Sequence, residues 1–268
     1  MTQYIHIKSQ DCTFINNLTS SISIHLQEPI FRKDDQIFEV SLVSCVIPYS
    51  WYVVNDRNNT ISMIETDNIE TFTTDFQLTN GNYNIREITS LLEIMLNDNT
   101  KNETSYSVQY SKSTNKITIS TITEDRKTTF DFYYTYELLG FTYWNTYDLT
   151  IDTPVISPNV CNVYPDDNIY IRSNLMNHEA IDSFTRSATD ILQKIEIRET
   201  HGSYIFLNNH VTPLRSDIMS ISKIDLFITD EWNEVINLNG LNWSLTLKIE
   251  KSIRPSTYYQ KMIENTIK

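Results

Sequence analysis

Glycine is scarce in this sequence of 268 residues, which contains only four, at positions 81, 140, 202 and 240. A loop that holds a phosphate with its backbone amides needs several glycines close together. The motifs GxGxxG, GxxxxGK[ST], GxSxG and HExxH are absent as well. The sequence therefore predicts neither nucleotide binding nor the hydrolase and zinc peptidase sites that these motifs mark.

Cysteine and long apolar runs are also in short supply. Cys12, Cys45 and Cys161 are an odd number of widely spaced residues without a CxxC pair, so we expect free, buried or partly buried thiols rather than a disulfide framework. The first residues, MTQYIHIKSQ, lack the basic start and apolar centre of a secretory signal, and we expect a reducing compartment. No apolar run is long enough to predict a membrane span.

Positive charge is in deficit, with 21 Lys and Arg against 34 Asp and Glu and a formal net charge of -13. Such a surface argues against direct binding of nucleic acid, whose phosphates need basic partners. The five histidines lie far apart in the sequence and predict no metal site; they are His6, His25, His178, His201 and His210. We expect no cofactor, no metal and no catalytic residues, and hence a protein that is not an enzyme.

Two pairs of acidic residues, Asp166/Asp167 and Asp230/Glu231, are the only features that suggest chemistry. Adjacent carboxylates can bind Ca²⁺ in a loop or act as acid and base in a glycosidase. Both pairs fall where turns are predicted, so solvated turn residues are the favoured interpretation. The glycosidase remains an open, weaker hypothesis.

Short segments in which apolar and polar residues alternate predict β-strands along most of the chain. The segment 37–47 is apolar on both sides, as expected of a strand in the middle of a packed sandwich. The segments 106–110 and 116–122 flank a polar turn and predict a hairpin. The remaining strand predictions are 4–7, 21–25, 61–64, 130–134, 168–172, 191–197, 204–207 and two strand segments within 224–249.

One helix stands out against this pattern. In NIREITSLLEIMLNDN, Asn84 is a candidate N-cap and Glu87 lies three residues later, which is the spacing of a capping box. The segment 137–141, ELLGF, predicts a short helical turn that Gly140 closes. With many strands and no regular alternation with helices, an all-β sandwich or jelly roll is favoured over α/β folds. We predict a domain over 1–250, interrupted by a helix-plus-hairpin insertion at about 75–141, and a C-terminal tail at 251–268.

The stretch 224–249 predicts a final amphipathic hairpin. Trp243 alternates in register with Leu245 and Leu247, so core packing is the favoured role for its side chain. We predict that Asn239, Gly240 and Trp243 determine the fold there. Trp232 lies in the predicted turn at 230–233, where an exposed partner contact and a local cap on the sandwich both remain open. In the tail, Tyr258, Tyr259 and Ile263 are candidate partner contacts, and we expect the tail to support assembly rather than folding.

Seven sequence blocks occur in a characteristic order. They are EVSLVSCVIPYSWYVVN (39–55), NGNYNIREITSLLEIML (80–96), YSVQYSKSTNKITIS (106–120), ELLGF (137–141), NIYIRSNL (168–175), ILQKIEI (191–197) and ITDEWNEVINLNGLNWSLTLKIE (228–250). In order and spacing the blocks resemble the penton, or minor capsid, protein family of virophages, Polinton-type elements and related icosahedral DNA viruses. The most specific combination is GNYN before a helix, LLGF after a hairpin and LNGLNW before the last strand. One departure concerns the residues before the helix, which often include proline in that family and are Leu78, Thr79 and Asn80 here.

This resemblance implies a jelly-roll capsid subunit, located in the virion and assembled inside the infected host cell. Five copies would form a pentamer at a fivefold vertex, among double jelly-roll major capsid proteins, and a host receptor would be a further partner. A minor capsid position beneath the shell is the other location that the resemblance allows. An alternative that does not depend on the resemblance is a carbohydrate- or receptor-binding β-sandwich module, suggested by the candidate exposed aromatics Trp144 and Trp232.

Overall fold

The computed structural model of the protein describes residues 2–67, 69–163, 167–176, 180–183, 186–208 and 213–254. The chain divides into two compact units. The discontinuous unit consists of Met1–Trp51 and Asp166–Lys268, and the inserted unit is Tyr52–Pro165. Each unit has a hydrophobic core drawn from its own residues, so the two are described separately.

Strands account for most of the regular structure. Before the inserted unit the strands are β1 (Thr2–Lys8), β2 (Thr13–Phe14), β3 (Ser21–Phe31) and β4 (Gln36–Pro48). The inserted unit contains β5 (Thr60–Thr66), β6 (Thr71–Gln77), α1 (Ile85–Asn99), β7 (Tyr106–Ser111), β8 (Lys116–Thr121), β9 (Lys127–Asp131), α2 (Tyr136–Leu139), β10 (Thr146–Leu149) and β11 (Val155–Ile156). After it come β12 (Asn168–Ser173), β13 (Ala180–Asp182), β14 (Ser187–Thr189), β15 (Ile191–Glu196), β16 (Tyr204–Asn208), β17 (Leu214–Ser216), β18 (Ser220–Thr229) and β19 (Ser244–Ile253).

The discontinuous unit is a jelly-roll β-sandwich. Its first sheet has the order β1-β19-β4-β16, with β17 also paired to β4, and its second sheet has the order β15-β12-β18-β3-β2. The pairs in both sheets are antiparallel. When the eight principal strands β1, β3, β4, β12, β15, β16, β18 and β19 are lettered B to I in chain order, the sheets read B-I-D-G and C-H-E-F. That strand order is the jelly roll, and the expected fold class is confirmed.

The longest strand of the sandwich, β4, carries a β-bulge. Thr246 of β19 pairs with Ser44, whereas the next residue of β19 pairs with Leu42, so Val43 is an extra residue. A bulge shifts the alternation of side chains by one position. The buried residues therefore change from Phe38, Val40 and Leu42 before the bulge to Cys45 and Ile47 after it, and all of them join one core. The strand that looks apolar on both faces in the sequence thus contributes to a single interior.

The prediction of one hairpin over 224–249 is wrong. Strand β18 pairs with β3 and β12, whereas β19 pairs with β1 and β4 in the other sheet. A turn at Asp230 does fold the chain back, since Thr229 and Val235 form a bridge, but the chain then crosses to the other sheet. Alternation identifies the buried face of each strand, and it carries no information about which sheet the strand joins.

The inserted unit contains two small antiparallel sheets, the helix α1 and the short helix α2. One sheet has the order β10-β9-β5-β6 and the other β11-β8-β7, which includes the predicted hairpin 106–122. Apolar residues of both sheets and of α1 form its core. The unit is longer than the predicted insertion at 75–141, because β5 and β10 pair with β9 in one sheet and so belong to the same unit.

The predicted cap at the start of α1 and the predicted glycine at the end of α2 are confirmed. The Asn84 side chain accepts hydrogen bonds from the backbone N–H groups of Arg86 and Glu87, while Glu87 accepts from the N–H of Asn84 at 2.8 Å. Gly140 ends α2 in the left-handed region at φ 77°. A Cβ at this position would lie 2.5 Å from the backbone oxygen of Asn159, so both conformation and space require glycine.

Three segments differ from the sequence predictions. The polar segment 177–190, in which alternation predicts no strand, includes the short pair β13 and β14. The predicted strand 130–134 is displaced, since β9 ends at Asp131. The segment 142–165, in which alternation also predicts no strand, contains β10 and β11. Strands β10, β11, β13 and β14 are only two to four residues long, which is too short for alternation to identify them.

Candidate interaction surfaces

Trp243 is an anchor of the jelly roll and not a contact surface. Its side chain is 3% exposed and belongs to the core of the discontinuous unit. The indole Nε1–H donates to the backbone oxygen of Thr19 at 2.7 Å, and the Trp243 carbonyl accepts from the N–H of Ser9 at 2.9 Å. Its own N–H donates to the Ser9 hydroxyl. The residue therefore connects the start of β19 to the N-terminal segments of the unit.

Asn239 and Gly240 form a tight turn ahead of Trp243. Both have positive φ, 51° and 79°, and the N–H of Leu241 donates to the oxygen of Leu238 at 3.0 Å. A turn with positive φ at both central positions favours Asn-Gly. The Asn239 side chain also donates to the backbone oxygen of Ser50 at 2.6 Å. These contacts are those expected of residues that determine the fold, which remains the prediction for this motif.

Trp232 occupies the turn between the two sheets. Asp230 is 1% exposed, and its carboxylate accepts from the backbone N–H groups of Trp232 at 3.0 Å and Glu234 at 2.8 Å. Asn233 adopts a positive φ of 67° in the same turn. The Trp232 side chain is 46% exposed. Asp230 is thus a buried residue that orders the turn, where a solvated carboxylate was expected.

The tail residues Tyr258, Tyr259 and Ile263 lie outside the described residues. The last described residue is Arg254, whose N–H donates to the oxygen of Asp35 at 2.9 Å. Its guanidinium pairs with Asp217 at 3.1 Å. The chain therefore stays attached to the jelly roll through the end of β19.

A further candidate surface lies where the outer strands of the two sheets of the sandwich are neighbours. Strand β15 ends one sheet and β16 ends the other, and a cavity of about 350 Å³ lies between Gln193–Glu196 of one and Ile205–Leu207 of the other. On β16, Tyr204 is 48% and Phe206 is 68% exposed. The segment YIFL (204–207) is apolar on both faces, which is the sequence signal for an exposed apolar surface on β16. The position of β16 at the edge of its sheet depends on strand pairing, which the sequence does not predict.

Another candidate surface is an aromatic cluster in the inserted unit, made of Tyr133, Tyr134, Tyr143 and Trp144. The Tyr133 ring centroid lies 4.8 Å from Tyr143 and 4.9 Å from Trp144, and Tyr143 lies 4.7 Å from Trp144. Trp144 is a candidate from the sequence, which does not predict its assembly with Tyr133, Tyr134 and Tyr143. The pairing of β9 with β10 brings the two segments together.

Two phenols of this aromatic cluster share a hydrogen bond. The Tyr143 hydroxyl donates to the Tyr133 hydroxyl at 2.8 Å. This hydrogen bond is the largest cause that raises the pKa of Tyr143 to about 12. The Tyr143 phenol therefore stays neutral at physiological pH.

The described part of the chain contains no group of three or more His, Cys, Asp or Glu side chains placed to hold a metal ion. Of the residues considered for chemistry, Asp166, His178 and His210 lie outside the described residues. Within the described ranges, no helix is both long and apolar enough to cross a membrane.

The strand order places this protein among jelly-roll β-sandwich proteins with an inserted unit between the third and fourth principal strands. A crystal structure of a selenomethionine-labelled mavirus penton protein is similar to this chain, with 13% sequence identity, coverage of 94% of this chain and 100% of that one, and a TM-score of 0.49. No protein-family profile and no curated protein matches the sequence.

Proposed function

We propose that this protein is a structural subunit of a viral capsid that assembles through its jelly-roll unit. The observation that carries the proposal is the B-I-D-G and C-H-E-F strand order of the two sheets, an arrangement that viral capsid proteins use repeatedly. Four of the seven sequence blocks that resemble the penton and minor capsid family lie on this framework, in β4, β12, β15 and the segment from β18 to β19, and the other three lie in the inserted unit. The finer proposal is a pentamer at a fivefold vertex among double jelly-roll major capsid proteins.

The surface features of the discontinuous unit support assembly through this unit. Phe206 and Tyr204 project from the edge strand β16, and Trp232 projects from the turn after β18. Exposed aromatic residues on a free strand edge are typical of protein interfaces. A ring of five copies needs two different, complementary surfaces on each subunit, and β1 and β16 are the two outer strands of the first sheet.

Light scattering after size exclusion tests the oligomer. The expected mass is about five times the 31.4 kDa of one chain. Phe206→Arg should shift the particle toward the monomer, because a charge on the outer face of β16 would be buried without a partner. Ile64→Arg is the matched control, since Ile64 is 40% exposed and lies in the inserted unit, and it should leave the mass unchanged.

A second variant addresses the tail. Truncation after Arg254 spares its contacts with Asp35 and Asp217, so the jelly roll should stay folded while assembly weakens. A wild-type chain that remains monomeric at high concentration and is absent from purified particles would remove the capsid proposal. A truncated chain that unfolds would instead assign the tail to the core.

A further inference from the structure

The aromatic cluster exposes an unusual amount of ring surface. Trp144 is 74% exposed, Tyr134 is 54% exposed and Tyr143 is 38% exposed. The ring of Tyr133 contacts those of Tyr134, Tyr143 and Trp144. Contiguous exposed rings of this kind usually mark a binding surface.

The backbone at Trp144 is in a conformation that tryptophan rarely adopts. Its φ is 68°, in a turn closed by a hydrogen bond of 3.3 Å from the N–H of Asn145 to the oxygen of Thr142. A residue with a Cβ pays a steric cost in this left-handed region, which glycine and asparagine tolerate much better. A strained position that carries a large exposed ring suggests that the ring is kept for contact.

Carboxylates lie on the sheet beside the aromatic cluster. Thr146, two residues after Trp144, pairs with Asp131, which pairs with Ser62, and Ser62 pairs with Asp75. Residues that pair in this way share one face of a sheet. The buried neighbours Met63 and Phe130 belong to the opposite face. Asp131 and Asp75 therefore lie on the outer face, in the row that ends beside the aromatic cluster.

The chain segments that carry the aromatic cluster are rich in acidic residues. From Thr128 to Val163 the sequence carries four acidic residues, Asp131, Glu137, Asp148 and Asp152, and no Lys or Arg. Lys127, at the start of β9, pairs with Asp148 at 2.8 Å. A partner that approaches the rings therefore meets a negative field, which attracts cations.

We propose that the aromatic cluster and the adjacent carboxylates bind a basic segment of a partner protein, with an arginine side chain stacked on the indole of Trp144. Tryptophan is the strongest cation–π partner, and the planar guanidinium stacks on a ring better than an ammonium group does. The negative row at Asp131 and Asp75 selects a cation over a neutral sugar. This inference concerns the inserted unit and does not depend on the capsid function.

Titration of the full-length protein with an acetylated, amidated hexa-arginine peptide tests the proposal. Trp144→Asn is the informative variant, because asparagine suits the left-handed turn and the net charge stays the same. It should weaken hexa-arginine binding by about two- to fivefold, as expected for the loss of an exposed cation–π contact. Trp232→Ala removes an exposed tryptophan from the other unit and should leave the affinity unchanged.

Two further arms separate stacking from general attraction. Asp75→Asn should weaken binding and reduce its salt dependence, whereas Asp34→Asn, the same change in the discontinuous unit, should do neither. Hexa-lysine should bind the wild type less tightly than hexa-arginine does. The two peptides should bind Trp144→Asn with equal affinity. Equal hexa-arginine affinities for the wild type, Trp144→Asn and Trp232→Ala would overturn the proposal. The proposal would also be overturned, in favour of a carbohydrate ligand, if the protein bound to a glycan array and Trp144→Asn abolished that binding without affecting hexa-arginine binding.

Discussion

At the scale of single residues, Trp243 links parts of the chain that are far apart in sequence. Its indole packs in the core, and its polar atoms bind Ser9 and Thr19, more than 200 residues away. The sequence predicts the buried face of Trp243 from its alternation with Leu245 and Leu247. It does not predict the bond to Thr19, because that contact requires both ends of the chain to be in place.

Substitution of this anchor tests its role. Trp243→Ala should lower the free energy of unfolding by about 3 to 5 kcal/mol, because it empties a large buried site and leaves the Thr19 oxygen unpaired. Denaturant unfolding followed by circular dichroism measures the change. Trp232→Ala is the control and should stay within about 0.5 kcal/mol, since the side chain is half exposed. A loss below about 1 kcal/mol for Trp243→Ala would contradict a fold-determining role.

The three cysteines differ in burial, and their reactivity should follow. Desolvation raises the pKa of Cys45 to about 12 and that of Cys161 to about 11, and it is the largest cause of the raised pKa of Cys12. Thiolates are the reactive species, and Cys45 is 2% exposed. At about pH 8, iodoacetamide should modify Cys12 first, Cys161 slowly and Cys45 only on unfolding. Mass spectrometry after timed quenching measures the order, and rapid native modification of Cys45 would be inconsistent with this burial.

At the scale of elements, local signals predict α1 well. Its cap is formed by residues within one turn, and its core face consists of Ile88, Leu92 and Leu96, spaced at helical intervals. Such contacts are readable from sequence because they join neighbours. The sheet pairings are different. Neither the bulge at Val43 nor the separation of β18 from β19 has a local signal, since both depend on which strands lie alongside.

The capping box of α1 provides the matching prediction. Asn84→Ala removes the acceptor for the N–H groups of Arg86 and Glu87 and should destabilise the inserted unit by about 1 kcal/mol. Asn84→Asp retains the acceptor and places a negative charge at the helix start, so it should cost little. Thermal unfolding of the three proteins compares them. Equal stability of Asn84→Ala and wild type would show that water replaces the cap without cost.

At the scale of the whole molecule, the surfaces were harder to predict than the fold class. Trp144 and Trp232 were identified as candidates because aromatic residues in turns are conspicuous. Phe206 was not, because its exposure follows from β16 being the outer strand of its sheet. Exposure is a property of the finished packing, whereas strand periodicity is a property of each segment.

The division into two units yields the last prediction. Since each core contains residues of one unit alone, each unit should fold without the other. The test uses residues 52–165 alone, and the discontinuous unit with a flexible glycine–serine linker joining Trp51 to Asp166. Both should show strand-rich circular dichroism and cooperative thermal unfolding, and Trp243→Ala should destabilise only the linked jelly roll. An inserted unit that is unfolded alone but unfolds cooperatively within the full chain would show that its core depends on the jelly roll for stability.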